Sequence, residues 1–403
     1  MDATYIGWTS VRPESDEERF GMRSKERQAA FDKIEAERSS IEIDRVLWAF
    51  FQFARLDFVE LLAAEDAFWN AETDVVRTNA AMDAIRLWQQ KPGANNDVAS
   101  SNASVPVSRP PTASGKASRT RSGRSEGGQE ASLGRSAVVA ARCKDRDGNL
   151  CAVSRTKGAE AVSEIPAHIY PWSAFREKRP ERVKLFWATM RIFWKKADVD
   201  AWRDQIFVDD NANFRGKETV ANMISLTSTL HTFHTQGAFA LRPVQISDDK
   251  KQLELEFHWL VIEERERGTK AKLMDMPESS KDRTESGDGY GPFARGDPNG
   301  SQLLKSGHRF IMSTDDPLQK PLPDPGLLTL QWHLQRILAI SGVAGWRDEA
   351  FDDDDDDDDD EDADGVPARD VDGWIRQLPE SPSGYQSSPA NGLGDTDEDC
   401  AFR

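Results

Sequence analysis

Several features that would narrow the field quickly are missing. The 403 residues contain three cysteines, Cys143, Cys151 and Cys400, with no CxxC pair and no zinc-ribbon spacing. Such a count supports neither a secreted disulfide framework nor a cysteine-based zinc module, and it suits a reducing compartment. No apolar run approaches the roughly 20 residues a membrane helix needs. The most apolar window, Leu47 to Leu62, is interrupted by Arg55, Asp57 and Glu60. At the start, Met1-Asp-Ala-Thr-Tyr-Ile-Gly-Trp8 places no basic segment before an apolar core, the pattern of a secretory signal. These absences point to an intracellular protein, nuclear or cytoplasmic, without a membrane partner. Hydrophobic residues are scarce as well, at 38 % with a mean hydropathy of −0.65, so part of the chain is expected to build no core.

Charge is abundant but unevenly placed. The net charge is −18, yet Asp352 to Asp360 is an unbroken aspartate run, followed by Glu361, Asp362 and Asp364. Without these the balance is about −6, which is ordinary for a soluble chain. From Lys116 to Lys196, by contrast, 18 Lys and Arg stand against 8 Asp and Glu. An acidic protein can therefore still offer phosphate a basic surface, with salt-dependent binding. The competing reading is that Arg176 to Lys196 is the solvated side of a helix.

Composition and periodicity divide the chain into four parts, within the two or three domains this length allows. Residues 1–92 read as a helical region. Leu47, Phe51, Ala54, Phe58, Leu61, Glu65 and Phe68 step by four and three, predicting one helical stripe with Ser40 as N-cap. A second helix is predicted from about Thr73 to Gln90. The pair is read as a self-packed helical hairpin, with self-association or partner docking through residues 41–90 as the sharper alternative. Residues 93–135 are a basic linker rich in Ser, Pro and Gly, expected to be disordered, as is the acidic tail 347–403.

The remaining span, 136–346, carries the chemistry. Ser136 to Arg146 is predicted helical, and Asp147-Gly148-Asn149 is a turn signal. Leu150 to Val153 and Glu164 to Tyr170 are predicted to pair as a β-hairpin with His168 near its exit. A helical insertion follows from Pro180 to Phe207, whose aromatic face suits a core better than a base-stacking platform. Asn222 is expected to open a helix running through Phe233. Strands are predicted at Phe239–Ile246, Leu253–Leu260 and His308–Ser313, and a helix from about Gly326 to Ile340. Gly268 to Gln302 is polar and expected to be mobile. His258 is predicted to be an exposed strand residue, and His333 to lie in packing or on the surface. A single histidine after an apolar run is more often a satisfied core residue than a catalytic one. The same holds for His231 and His234 on an apolar helix. It is their joint order that points elsewhere.

Arg146-Asp-Gly-Asn-Leu-Cys-Ala-Val-Ser154, Ala167-His-Ile-Tyr-Pro-Trp172, Asn222-Met-Ile-Ser-Leu226, His231 and Gly237-Ala-Phe-Ala-Leu-Arg-Pro243 occur in that order. Together they resemble the HNH-endonuclease domain of the type common in uncharacterised fungal proteins, over about residues 136–346. The resemblance implies an α+β fold with a ββα-metal HNH core, here with a helical insertion and extra strands. It implies hydrolysis of phosphodiester bonds in nucleic acid, DNA in the first place, with one divalent metal ion (Zn, Ni, Mn or Mg). His168 would be the general base, Asn222 would hydrogen-bond the backbone on either side of His168 to direct its ring, and His231 would bind the metal. Ala167 stands where many HNH sites have a ligand, and Thr235 stands four residues after His231, where colicin-type sites have another. His234, three residues on, shares the face of His231 and is a second candidate ligand. The alternative is a catalytically degenerate HNH-fold module that binds nucleic acid or a protein.

The aspartate run reads as a solubility tail, as a tail that binds histones or another basic partner, or, since the charge blocks are opposite, as a segment that competes with nucleic acid for the basic stretch. On the last reading, deleting residues 351–403 should tighten DNA binding at low salt, measured by fluorescence anisotropy. Unchanged affinity would refute it.

Overall fold

The computed structural model describes residues 15–38, 41–63, 71–89, 136–157, 164–175, 177, 179–207, 216, 218–263, 265–287, 289–297 and 300–345. The linker 93–135 and the tail 347–403 lie outside the described residues.

In chain order the helices are α1 (Lys25–Arg38), α2 (Arg45–Phe53), α3 (Leu56–Ala63), α4 (Ala71–Trp88), α5 (Ala137–Arg146), α6 (Trp172–Phe175), α7 (Pro180–Phe193), α8 (Lys196–Asp204), α9 (Ser228–Thr235) and α10 (Pro325–Ser341). The strands are β1 (Glu42–Asp44), β2 (Ile165–His168), β3 (Met223–Leu226), β4 (Phe239–Ile246), β5 (Gln252–Trp259), β6 (Lys270–Lys272), β7 (Ala294–Asp297), β8 (Gly300–Leu303) and β9 (His308–Ser313). The protein is thus α+β with small antiparallel sheets. Among the described residues no helix is long and apolar enough to cross a membrane.

The largest sheet runs β4-β5-β9, with Phe239 opposite Trp259 and Leu255 opposite Phe310. Its register shifts between Pro243 and Gln245, where proline supplies no ladder N–H. α10 packs on β4, and its Gln331 accepts the Leu241 N–H at 3.2 Å, so a side chain meets a donor on this edge strand. Asp324 caps α10 by accepting from the Gly326 and Leu327 N–H groups at 2.9 and 3.0 Å.

α2 fills the space between α10, α4 and the β1–β6 ribbon, and Val46 to Phe53 are all buried. The single helix expected from Ser40 to Phe68 is not formed. Ser40 lies outside the described residues; Asp44 is the cap, its carboxylate accepting the Val46 N–H at 2.8 Å. Ala54 turns extended, at φ −57° and ψ 156°, and Arg55 holds the corner through Asp57 and Asp198 at 2.7 and 3.3 Å. Leu47 and Phe51 of the stripe therefore lie on α2 and Phe58 on α3, while Glu65 and Phe68 lie outside the described residues. Aromatics of α2 and α3 meet α7: Phe193 lies 4.8 Å from Phe50, 6.1 Å from Phe51 and 6.4 Å from Phe58. One hydrophobic core thus includes α1, α2 and α4 together with residues of the 151–343 span.

Two further expectations change. The polar segment 268–302 contributes β6, paired with β1, and the β7–β8 hairpin, because its backbone finds partners that hydropathy does not reveal. His258 is fully buried rather than exposed, since both faces of β5 are covered. It lies between Phe20 and Trp332 and bonds Glu256 at 2.6 Å. Arg309 and Arg19 also donate to Glu256, at 2.9 and 3.4 Å. Burial opposes the Glu256 charge, but His258, Arg242 and Arg309 hold its carboxyl down at about 2. His333 packs in part against Trp194, ring centres 5.2 Å apart.

Phe193 is the aromatic through which α2 and α3 meet the helical insertion. Phe193→Ala should remove about 3–5 kcal/mol of stability, read from urea unfolding. A loss below about 1 kcal/mol would show that this contact does not carry the packing.

Candidate active site

The site is assembled from two short strands and two helices. α5 begins at Ser136, whose hydroxyl accepts the Val139 N–H at 3.4 Å, and ends in the turn 147–149, where Gly148 and Asn149 have φ of +70° and +53°. At the end of α5, Arg146 and Asp147 form a buried ion pair, Nε to Oδ1 at 2.8 Å and Nη2 to Oδ2 at 3.0 Å. Nη1 also donates to the carbonyls of Val220 (3.1 Å) and Pro321 (2.9 Å), and Nη2 to Met223 (2.8 Å). All five guanidinium N–H groups thus have acceptors. Burial works against the Arg146 charge, but Asp147 and Cys143 outweigh it and raise its pKa. Burial pushes the neighbouring Cys143 thiol up to about 12, so it is a packing group rather than a nucleophile.

The expected hairpin forms with a different partner. β2 pairs antiparallel with β3, His168 opposite Met223 and Ile165 opposite Leu226. Residues 150–153, predicted as a strand, make a buried turn, with the Arg155 N–H bonded to the Cys151 carbonyl at 2.9 Å. This turn replaces a strand functionally. On the edge of β3 away from β2, the Ser225 N–H is taken by Asp147 at 2.8 Å and its carbonyl by the Ala152 N–H at 2.8 Å. The helix expected from Asn222 to Phe233 is divided into a 3-10 turn (Val220–Asn222), β3 and α9. Thr227 caps α9 by accepting the Leu230 N–H at 3.4 Å.

His168 ends β2 with its side chain buried, stacked on Trp172 at 5.1 Å between ring centres and edge-on to Phe175 at 6.2 Å. Asn222 does not bracket His168 itself. Its Oδ1 accepts the Tyr170 N–H at 2.8 Å, its Nδ2 donates to the Tyr170 carbonyl at 3.3 Å, and its own carbonyl accepts the Ile169 N–H at 2.9 Å. Three bonds from one residue therefore fix the chain just after His168. Burial raises the Tyr170 phenol far above its ordinary value, and the ring stacks on Trp187 at 5.9 Å.

A carboxylate beside the His168 Nε2 is one the sequence reading missed. Glu218 Oε1 lies 3.2 Å from His168 Nε2, and its Oε2 accepts the Ser136 N–H at 2.7 Å. The only signal available was its place four residues before Asn222 in a polar stretch.

α9 packs on β2 and β3 and carries both remaining histidines in the buried region. His234 is sealed against Phe239, ring centres 5.6 Å apart, and its Nδ1 has no hydrogen-bond partner. Burial, with a smaller contribution from His231, lowers its pKa to about 3. Thr235 turns its hydroxyl back to the Thr232 carbonyl at 2.8 Å, and position 167 has only a methyl group. Among the described residues no three of His, Cys, Asp and Glu converge as a metal site. The donor set therefore does not fit a metal held by three protein ligands. An open cleft of about 720 Å³ lies elsewhere, lined by Arg45, Ile262, Glu263, Arg265 and Met276, and includes none of these residues. The basic stretch is partly neutralised within the chain, Arg182 pairing with Glu177 at 2.9 Å and Arg191 with Asp200.

Residues 151–242 match the family model described as HNH endonuclease. The match spans His168, Asn222 and His231, and the chain carries an HNH endonuclease domain. Members of that family are generally endonucleases, so the family-level activity is hydrolysis of nucleic acid. Neither a curated protein nor a solved structure matches the chain.

The lowered pKa of His234 has a measurable sign. Below pH 6.5 the unfolded chain takes up a proton that folded His234 refuses until about pH 3, so stability falls as pH drops through that window. The slope is about 1.4 kcal/mol per pH unit. From pH 7 to pH 5, His234→Leu should therefore gain about 2 kcal/mol on the wild type in urea unfolding. Parallel pH profiles would contradict it.

Proposed function

We propose that the protein is an HNH-type endonuclease in which β2, β3 and α9 form the ββα core and His168 is the general base. The observation that carries this reading is the triple bonding of Asn222 to Ile169 and Tyr170, which holds the end of β2 that presents His168. A neutral imidazole titrates near neutrality and can take a proton from water. The water oxygen bonds to phosphorus and its proton passes to His168. The phosphorus–oxygen bond to the leaving sugar oxygen breaks with its electron pair, and that oxygen takes a proton from solvent. Nucleic acid, DNA in the first place, is the substrate. Asn222 is a positioning residue and does not react.

HNH nucleases typically use a divalent metal ion, which would stabilise charge on phosphate. Of the two candidate ligands we assign that role to His231 alone, and His234 to packing. Among the described residues no group of three ligating side chains assembles a site for that ion. That same shortage, with Ala167 and Thr235 at positions where ligands are expected, favours the second reading: an HNH-fold module that binds nucleic acid or a protein without cleaving.

Purified protein with Mn, Ni, Mg or Zn should nick supercoiled plasmid. His168→Ala should lower the rate by about 10²–10⁴-fold while the protein still folds, as read from its circular dichroism spectrum and a cooperative urea transition. No nicking with any of the four metals would overturn the enzyme reading. DNA binding that His168→Ala leaves intact, without cleavage, would establish the second.

A further inference from the structure

Glu218 lies between two donors. One oxygen faces the His168 ring at 3.2 Å and the other accepts the Ser136 backbone N–H at 2.7 Å. An ionised carboxylate only accepts, so both contacts are satisfied when the histidine proton sits on Nε2. We propose that Glu218 is a positioning residue for the nuclease reaction: it fixes the orientation of the His168 ring and holds it as the Nε2–H tautomer. The proposal rests on the HNH reading for its catalytic consequence, but not for the tautomer.

Three observations support it. Glu218 is itself anchored, since Ser136 is the N-cap of α5, and α5 is locked to the Val220–Met223 segment by Arg146. The imidazole plane is set by Trp172, stacked at an interplanar angle of 29°, so the ring is held by a face contact and an edge contact at once. The His168 and Glu218 side chains are 2 % and 12 % exposed, so water screens their interaction little. A carboxylate that orients a histidine and selects its tautomer is a general device in acid–base sites. Here the carboxylate comes from the segment just before Asn222, so one stretch of five residues fixes both the direction of the strand end and the proton on the ring.

The variant that tests this is Glu218→Gln. A glutamine has one acceptor oxygen for two donors. If its oxygen stays on the Ser136 N–H, its NH₂ faces Nε2 and the ring proton moves to Nδ1. Long-range proton–nitrogen NMR spectra of the full chain, labelled with ¹⁵N-histidine, read the tautomer at pH 7.5. The wild type should show the Nε2–H form, and Glu218→Gln a majority of Nδ1–H. Nicking of supercoiled plasmid should fall by about 10²–10⁴-fold while plasmid affinity is unchanged, and Glu218→Asp should recover both the Nε2–H signature and part of the rate. The same tautomer in wild type and Glu218→Gln would overturn the proposal, as would Glu218→Gln nicking at the wild-type rate. If no protein nicks, the HNH reading fails, and the spectra still decide whether Glu218 holds the ring.

Discussion

The geometry of the site depends on one buried ion pair. Arg146 and Asp147 are neighbours in sequence, yet together they reach Val220, Met223, Ser225 and Pro321. Because all five N–H groups of Arg146 have acceptors, its charge is buried without an orphaned donor. Removing one member of such a pair typically costs about 3–5 kcal/mol, since the other is left uncompensated. Here the cost would also be geometric. The pair holds the segment carrying Asn222, Asn222 holds Tyr170, and the strand end before Tyr170 carries His168.

This dependence explains why two carboxylates beside the site, Asp147 and Glu218, differ in kind. Asp147 is tied up by a guanidinium, a backbone N–H and a thiol contact, all internal. Glu218 meets a backbone N–H and an imidazole. The first carboxylate stabilises the frame; the second faces a group whose proton can move. A frame held by a charged pair and a face-stacked indole leaves the imidazole few ways to turn.

Elements with a strong periodicity of their own were legible. β4 and β9 keep their predicted bounds, α5 and α10 lie within a residue of where apolar periodicity placed them, and the insertion Pro180–Phe207 is helical but divided into α7 and α8. What failed were judgements of pairing. The apolar run Leu150–Val153 looks like a strand because it is buried, but it is buried as a turn that serves the edge of β3. The true partner of β2 comes after an inserted pair of helices, a distance that local patterning does not encode. His258 alternates with Phe257 and Trp259, as a solvent-facing residue would, but alternation is silent about a second covered face. The order of His168, Asn222 and His231 was legible through family resemblance. Glu218 was not, because one glutamate in a polar segment looks like any other.

The packing of α2 on α10 has a consequence in time. About 270 residues separate the end of α2 from the start of α10, and Phe53 of α2 packs under the Arg336 guanidinium of α10, 4.0 Å from the ring centre. At translation rates of about 5–20 residues per second, α2 leaves the ribosome tens of seconds before its partner exists. Contacts of such long sequence separation also slow folding, because loop closure must precede their stabilisation. Phe53 is therefore an aromatic whose cover arrives late in synthesis, a demand set by topology and not by the chemistry of the site.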